Sequence, residues 1–168
     1  MGRQRFTPEQ IIAGSPLKIV CGLTGLPKIT INPTDMKGPT LMPKMIFCFG
    51  SNEAGIHGAG AAKFAFEKKG AQWGKSYGHY GDSFAIPTKD ELIETLTLGH
   101  IHAYVDGFIA YAYGHRKLEF QVTCIGCGLA GYDHKSIAPL FIDAPPNCLF
   151  DEAWKPWLGE GVRYWGTF

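Results

Sequence analysis

Residues 45–69 constrain the fold more than any other stretch of the chain, because they read as a strand that turns through closely spaced glycines into a helix. The run at 45–49 is short, apolar and β-rich, and Gly50 stops it, which is the pattern of a buried strand. Gly50, Gly55, Gly58 and Gly60 then permit backbone shapes that side chains forbid. From Ala61 the period becomes helical, with Ala61, Phe64 and Ala65 on one face and Lys63, Glu67 and Lys68 on the other. Such a unit aims free N–H groups and the positive end of a helix dipole at one spot, and that spot suits a phosphate. A tight turn in an α/β fold, with no ligand, is the plainer reading of the same segment.

A second unit of the same kind follows. Residues 119–125 read as a strand, 126–132 (GCGLAGY) as its turn and 134–141 as a short helix. In an open α/β sheet, ligands settle at the carboxyl ends of strands. Two glycine-rich turns on adjacent strands would flank one anionic group, and a diphosphate fits that better than a lone phosphate. Between the two units, Gly70 ends the first helix and 74–81 is a loop rich in Gly, Tyr and His. Residues 83–87 form a short strand with Thr88, Lys89 and Asp90 at its end. A helix over 98–115, capped by Thr97, carries the apolar stripe Ile101, Val105, Phe108 and Ala112, flanked by Tyr104, Tyr111 and Tyr113. After Pro145 and Pro146, a tail with Trp154, Trp157, Tyr164 and Trp165 is aromatic enough to pack back onto the core.

Composition removes several classes of function. A chain of 168 residues suits one domain with a single core. Lys plus Arg total 16 against 15 for Asp plus Glu, so charge makes no case for nucleic acid or an anionic membrane. No apolar run is long enough to span a bilayer, and residues 1–10 lack the apolar centre of a signal peptide, so a soluble cytoplasmic protein is expected. The five cysteines are too scattered for a disulfide framework. Cys124 and Cys127 form a C-x-x-C, yet Cys21, Cys48 and Cys148 offer no second ligand pair for zinc, and Cys124 lies inside an apolar run rather than opening a helix. Buried free thiols are the expectation, with no metal and no cofactor.

Two nucleotide motifs fail on their letters. Gly55 and Gly60 have P-loop spacing, but Ala61 and Ala62 stand where Lys and Ser or Thr are needed, which disfavours NTP hydrolysis. Gly126, Gly128 and Gly131 satisfy G-x-G-x-x-G, but too little chain follows for the rest of a dinucleotide fold, which disfavours a Rossmann dehydrogenase. Residues 1–44 are the least legible. Thr7, Pro8 and Gln10 read as a helix start ended near Gly14, and 17–21 with 28–31 as a hairpin; the whole reads as an extension packed on a core at 45–168.

The motifs resemble those of the macrodomain family, whose members bind ADP-ribose and in some branches cleave it from proteins. Gly50, Ser51 and Asn52, with the run Gly55, Ile56, His57, Gly58, Ala59, Gly60, Ala61 and Ala62, resemble the family's first ligand loop. Ile125, Gly126, Cys127, Gly128 and Leu129 resemble the phosphate loop of the terminal ADP-ribose protein glycohydrolase branch. Short bacterial and phage macrodomain-like proteins carry a similar pair of motifs. The resemblance covers roughly 45–142 and implies that loops 58–62 and 126–132, with Ala130, Gly131 and Tyr132 closing the second, wrap a diphosphate and its distal ribose. It implies that Asn52 hydrogen-bonds that ribose, that Tyr132 stacks on it or else serves the core, and that Lys89 matches the lysine by which that branch attacks the anomeric carbon.

The departures are equally specific. Ala130 stands where that branch has an acidic residue after G-C-G-L, and no Asp lies between Gly55 and Ala62, where another branch has one. Asp90, Asp133 or His57 are the available substitutes, each with a plain capping or surface role as the alternative. The expectation is therefore an α/β fold, a three-layer α/β/α macrodomain-like sandwich with a mixed central sheet. Its function is a reader of ADP-ribose or a related NAD-derived nucleotide; the alternatives are an ADP-ribosyl hydrolase acting on a modified macromolecule, with Lys89 and His57 as catalytic residues, and a structural or interaction protein without a nucleotide.

Overall fold

A computed structural model of the chain describes residues 42–168. The described part is α/β, with a mixed six-stranded sheet and helices packed on it. In chain order the elements are β1 (Lys44–Asn52), α1 (Gly60–Lys68), β2 (Gly78–Tyr80), β3 (Ser83–Lys89), α2 (Leu98–Gly114), β4 (Leu118–Val122), α3 (His134–Ile137), β5 (Cys148–Asp151), α4 (Lys155–Leu158) and β6 (Arg163–Gly166). A 3-10 turn over Ala138–Phe141 continues α3, and another over Glu152–Trp154 precedes α4. The strands lie in the order β2-β3-β1-β4-β5-β6. β2 is antiparallel to β3 and every other pairing is parallel.

Alternation along β1 sorts its side chains onto two cores. Ile46 and Cys48 join the larger one, with Phe84, Ile86, Phe120 and Phe150 from neighbouring strands and Phe141 and Trp154 from beyond them. The stripe Ile101, Val105, Phe108 and Ala112 of α2 is wholly buried in the same cluster. Phe47 and Phe49 join the smaller core, where Ala62 and Ala65 of α1 meet Ala71 and Ala85. Each buried Phe contributes roughly 2–3 kcal/mol by leaving water. Tyr104 and Tyr111 pack at the edge of the larger core, whereas Tyr113 is exposed.

Helix ends follow local chemistry. Thr97 caps α2, its hydroxyl accepting from the His100 N–H at 3.4 Å. The Lys69 N–H closes α1 on the Ala65 carbonyl, and Gly70 at φ +75° turns the chain away.

The structure departs from the sequence reading in several places: β1 runs through Gly50 to Asn52 rather than stopping at Gly50. The loop expected at 74–81 contains β2, which adds an antiparallel edge. β3 runs on to Lys89, while β4 stops at Val122, short of the expected Ile125. The aromatic tail does more than cover the core: β5 and β6 are strands of the sheet. Buried Asp151 fastens that tail, accepting from the Ala153 N–H at 3.0 Å, the Thr167 hydroxyl at 2.8 Å and the Phe168 N–H at 3.0 Å. Cys48 and Cys148 are buried as expected, but Cys124 and Cys127 are only half-buried. The readings for 1–41, including Cys21, the short helix, the hairpin and their packing, lie outside the described residues. Among the described residues no helix is long and apolar enough to cross a membrane.

Candidate functional site

β1 has β3 on one side and β4 on the other, so the chain reverses its direction across the sheet at β1. The carboxyl ends of these parallel strands open into a crevice at that reversal, the position where α/β sheets hold ligands. A cleft of about 470 Å³ occupies it. It is lined by Gly50, Ser51, Asn52, Gly58, Ala59, Gly60 and Ala61 from the first glycine loop. Gly126, Cys127, Gly128, Leu129 and Ala130 line it from the second, and Lys89 from β3. Gly55, His57, Gly131 and Tyr132, also expected at the site, are not among its lining residues. The two loops meet at the cleft floor, where the space for a Cβ on Gly50 reaches the Gly126 nitrogen at 3.5 Å.

Side chains hold the first loop in shape. The β1–β3 register shifts between Ser51 and Asn52, which sets Asn52 opposite Lys89, and the Glu53 N–H donates to the Lys89 carbonyl at 2.9 Å. The Asn52 amide then clasps Ile56 both ways, donating to its carbonyl at 2.7 Å and accepting from its N–H at 2.9 Å. Gly55, at φ +68°, lies so close to the Gly74–Lys75 backbone that a Cβ would stand 2.5 Å from the Gly74 carbonyl carbon. His57 is buried behind the loop, edge-on to Phe49, with Nε2 at 3.1 Å and 3.2 Å from the carbonyl oxygens of Gln72 and Lys75. Those acceptors require the proton on Nε2, and Nδ1 has no partner. Burial holds the imidazole below its ordinary pKa, against the opposing pull of the Lys75 and Gln72 carbonyls. His57 thus props the loop from behind.

Backbone turns hold the second loop. The Cys127 N–H donates to the Cys124 carbonyl at 3.1 Å, the Gly131 N–H to Gly128 at 2.9 Å and the Tyr132 N–H to Gly126 at 3.0 Å. Gly126, at φ +75°, makes the turn off β4. Tyr132 packs on the larger core and donates its hydroxyl to the Leu96 carbonyl at 2.8 Å. The Thr95 hydroxyl ties this loop to the one after β3, donating to the Ala130 carbonyl at 3.0 Å. Gly128 and Leu129 form an exposed tip.

Among the described lining residues Lys89 is the one Lys or Arg, and none is Asp or Glu. Asp90 is occupied in a turn, accepting from the N–H groups of Leu92 at 2.9 Å and Glu94 at 2.8 Å. Asp133 caps α3 by accepting from the Ser136 N–H at 3.0 Å. α1 begins with no side-chain cap at Ala59, so its first N–H groups remain available beside the cleft.

Several lining residues escaped the sequence reading. Thr88 and Thr123 are buried and spend their hydroxyls on the Ser51 carbonyl at 3.3 Å and the Cys48 carbonyl at 2.9 Å. Cys124 lines the cleft beside Cys127, its thiol pushed up to about 12 by burial and then by the Asp151 charge. Burial likewise pushes Cys127 up to about 11. Both are therefore held as thiols at neutral pH. Ile56, Ile93, Leu129 and Phe168 leave large apolar surfaces exposed around the rim. His134 also borders the cleft, and the only sequence signal for it was its place directly after Asp133, the cap of α3.

No protein-family model matches the chain, and no curated protein or solved structure matches it either.

Proposed function

We propose that this cleft binds ADP-ribose or a related NAD-derived nucleotide diphosphate, so that the protein acts as a reader or regulator of ADP-ribose signalling. The observation that carries the reading is the convergence of two glycine loops, from adjacent parallel strands, on one cleft whose described lining includes a lysine and no Asp or Glu. A diphosphate needs backbone N–H groups that approach closely, a compensating cation and no competing anion, and all three are present. The exposed apolar rim suits the flat faces of a base and ribose. The three-layer, macrodomain-like arrangement belongs to the same proposal. It is supported by the two cores on alternate faces of β1, one with α1 and the other with α2.

The second reading, an ADP-ribosyl hydrolase, is favoured by one observation: Lys89 stands at the end of β3 in the cleft, opposite Asn52. Among the described residues no Asp or Glu borders the cleft to assist it, and His57 is turned to backbone carbonyls instead. Binding therefore ranks above turnover. Nothing in the cleft favours an interaction protein without a nucleotide.

Calorimetric titration with ADP-ribose, using AMP and NAD as controls, tests the reading. Saturable 1:1 binding of ADP-ribose is expected, and no heat with any of the three overturns it. Incubation with an ADP-ribosylated protein then separates the two activities: release of ADP-ribose by wild type but not by Lys89→Ala would replace the reader by the hydrolase.

A further inference from the structure

We propose that His134 is a ligand-binding residue of the cleft, locked by Trp154 as the Nε2–H tautomer so that it donates to an acceptor oxygen of the bound anion. The inference rests on the reading of the cleft as an anion site and adds to it a residue that no motif in the chain marks.

Trp154 is wholly buried. Its indole Nε1–H stands 3.1 Å from Nδ1 of His134. An indole nitrogen can only donate, so Nδ1 must accept and, in the neutral ring, the proton resides on Nε2. The imidazole is also stacked on Trp157, with the ring planes 12° apart and the centroids 5.6 Å apart. One ring edge is thus bonded and one face is covered, which fixes the plane of the ring and the direction of its other nitrogen.

Nε2 makes no hydrogen bond among the described residues and is not one of their fully buried, unpartnered atoms. The ring borders the cleft that Lys89 and the loop N–H groups also line. With no Asp or Glu among the described lining residues, an acceptor for such a donor in the cleft would come from a ligand. A phosphate or ribose oxygen of a nucleotide has the right chemistry.

Substitution can separate the donor from the internal bond. In His134→Gln the side-chain carbonyl can accept from Trp154 while the amide donates into the cleft. In His134→Glu the same acceptor is kept, but the donor is replaced by an anion. ADP-ribose affinity is expected to stay within about threefold in His134→Gln and to fall by more than about tenfold in His134→Glu, with melting temperatures of the two variants alike. Equal affinity in wild type and both variants would overturn the inference.

A second measurement does not depend on the nucleotide. Long-range proton–nitrogen NMR of the free protein is expected to show Nε2 of His134 protonated and Nδ1 bare; the opposite tautomer overturns the inference. Inorganic pyrophosphate is then added while the His134 Nε2 resonance is followed. A saturable shift that Lys89→Ala weakens supports it, even if ADP-ribose does not bind and the nucleotide reading falls. An unmoved resonance with both ADP-ribose and pyrophosphate overturns it.

Discussion

The two glycine loops face the same cleft but are built on different principles. The loop after β1 adds side-chain bonds to its backbone turns: the Asn52 clasp on Ile56 and the His57 bond to Gln72 and Lys75, with the Gly55 backbone pressed against Gly74. The loop after β4 is wired by its own backbone turns, and its tip at Gly128 has open space where a side chain would go. A change at Asn52 or Gly55 therefore disturbs the fold before it reaches a ligand, although a Cβ at Gly58 would meet nothing within 4 Å. A change at the tip of the second reaches a ligand without disturbing the fold. Motif letters treat the two loops as equivalent, whereas their supports make them opposite targets for mutation.

The largest expected effect sharpens this contrast. Gly55→Ala forces a Cβ into the Gly74–Lys75 backbone at 2.5–2.7 Å with φ at +68°, and should cost about 3 kcal/mol in chemical denaturation. Next comes Gly128→Glu, whose Cβ meets nothing within 4 Å. Its stability should stay within about 0.5 kcal/mol of wild type while ADP-ribose affinity, if the proposed function holds, falls by about a hundredfold or more, because a carboxylate enters the cleft proposed to take a diphosphate. If Gly128→Glu unfolds and Gly55→Ala does not, the division between the loops is wrong.

A smaller pair probes the polar supports. Asn52→Ala removes both bonds to Ile56 and should cost about 2 kcal/mol in thermal unfolding. Thr95→Val removes the single exposed tie to Ala130 and should cost less than about 1 kcal/mol. Equal costs would mean that the loop after β1 does not depend on its clasp.

The subtlest test is of pH. Burial lowers the His57 pKa in the folded chain below its ordinary 6.5, so the unfolded chain takes up the proton first as pH falls. The His57 contribution to stability is fully present above about pH 6.5, declines as pH drops through the window between the two values, and is lost below the folded one. Urea midpoints at about pH 7.5 and about pH 5.5 should therefore fall further in wild type than in His57→Gln, which keeps a donor but has no proton to gain. Identical pH profiles would show that His57 does not couple the first loop to pH.

Much of the frame was legible from local pattern. The buried run that became β1, the stripe and Thr97 cap of α2, and the two glycine turns all depend on residues close in sequence. The strands β5 and β6 were not legible. Each is four residues long, and what makes them strands is pairing with β4 and with one another. Lys89 was visible as a lysine at a strand end, but its place opposite Asn52 comes from the register shift after Ser51. For His57 the letters allowed a proton carrier, and only its burial against the carbonyls of Gln72 and Lys75 shows what the ring bonds to.

Sequence by itself determined that this chain carries two strand–glycine–helix units and an α/β core, because hydrophobic period and glycine position act over a few residues. Tertiary structure alone decided that β1 lies between β3 and β4, that both loops share one cleft, and that Lys89 and His134 border it. Strand order, register and the choice of imidazole tautomer are set by partners far away along the chain. Residues such as Trp154, twenty positions beyond His134, leave no mark on the local pattern they control.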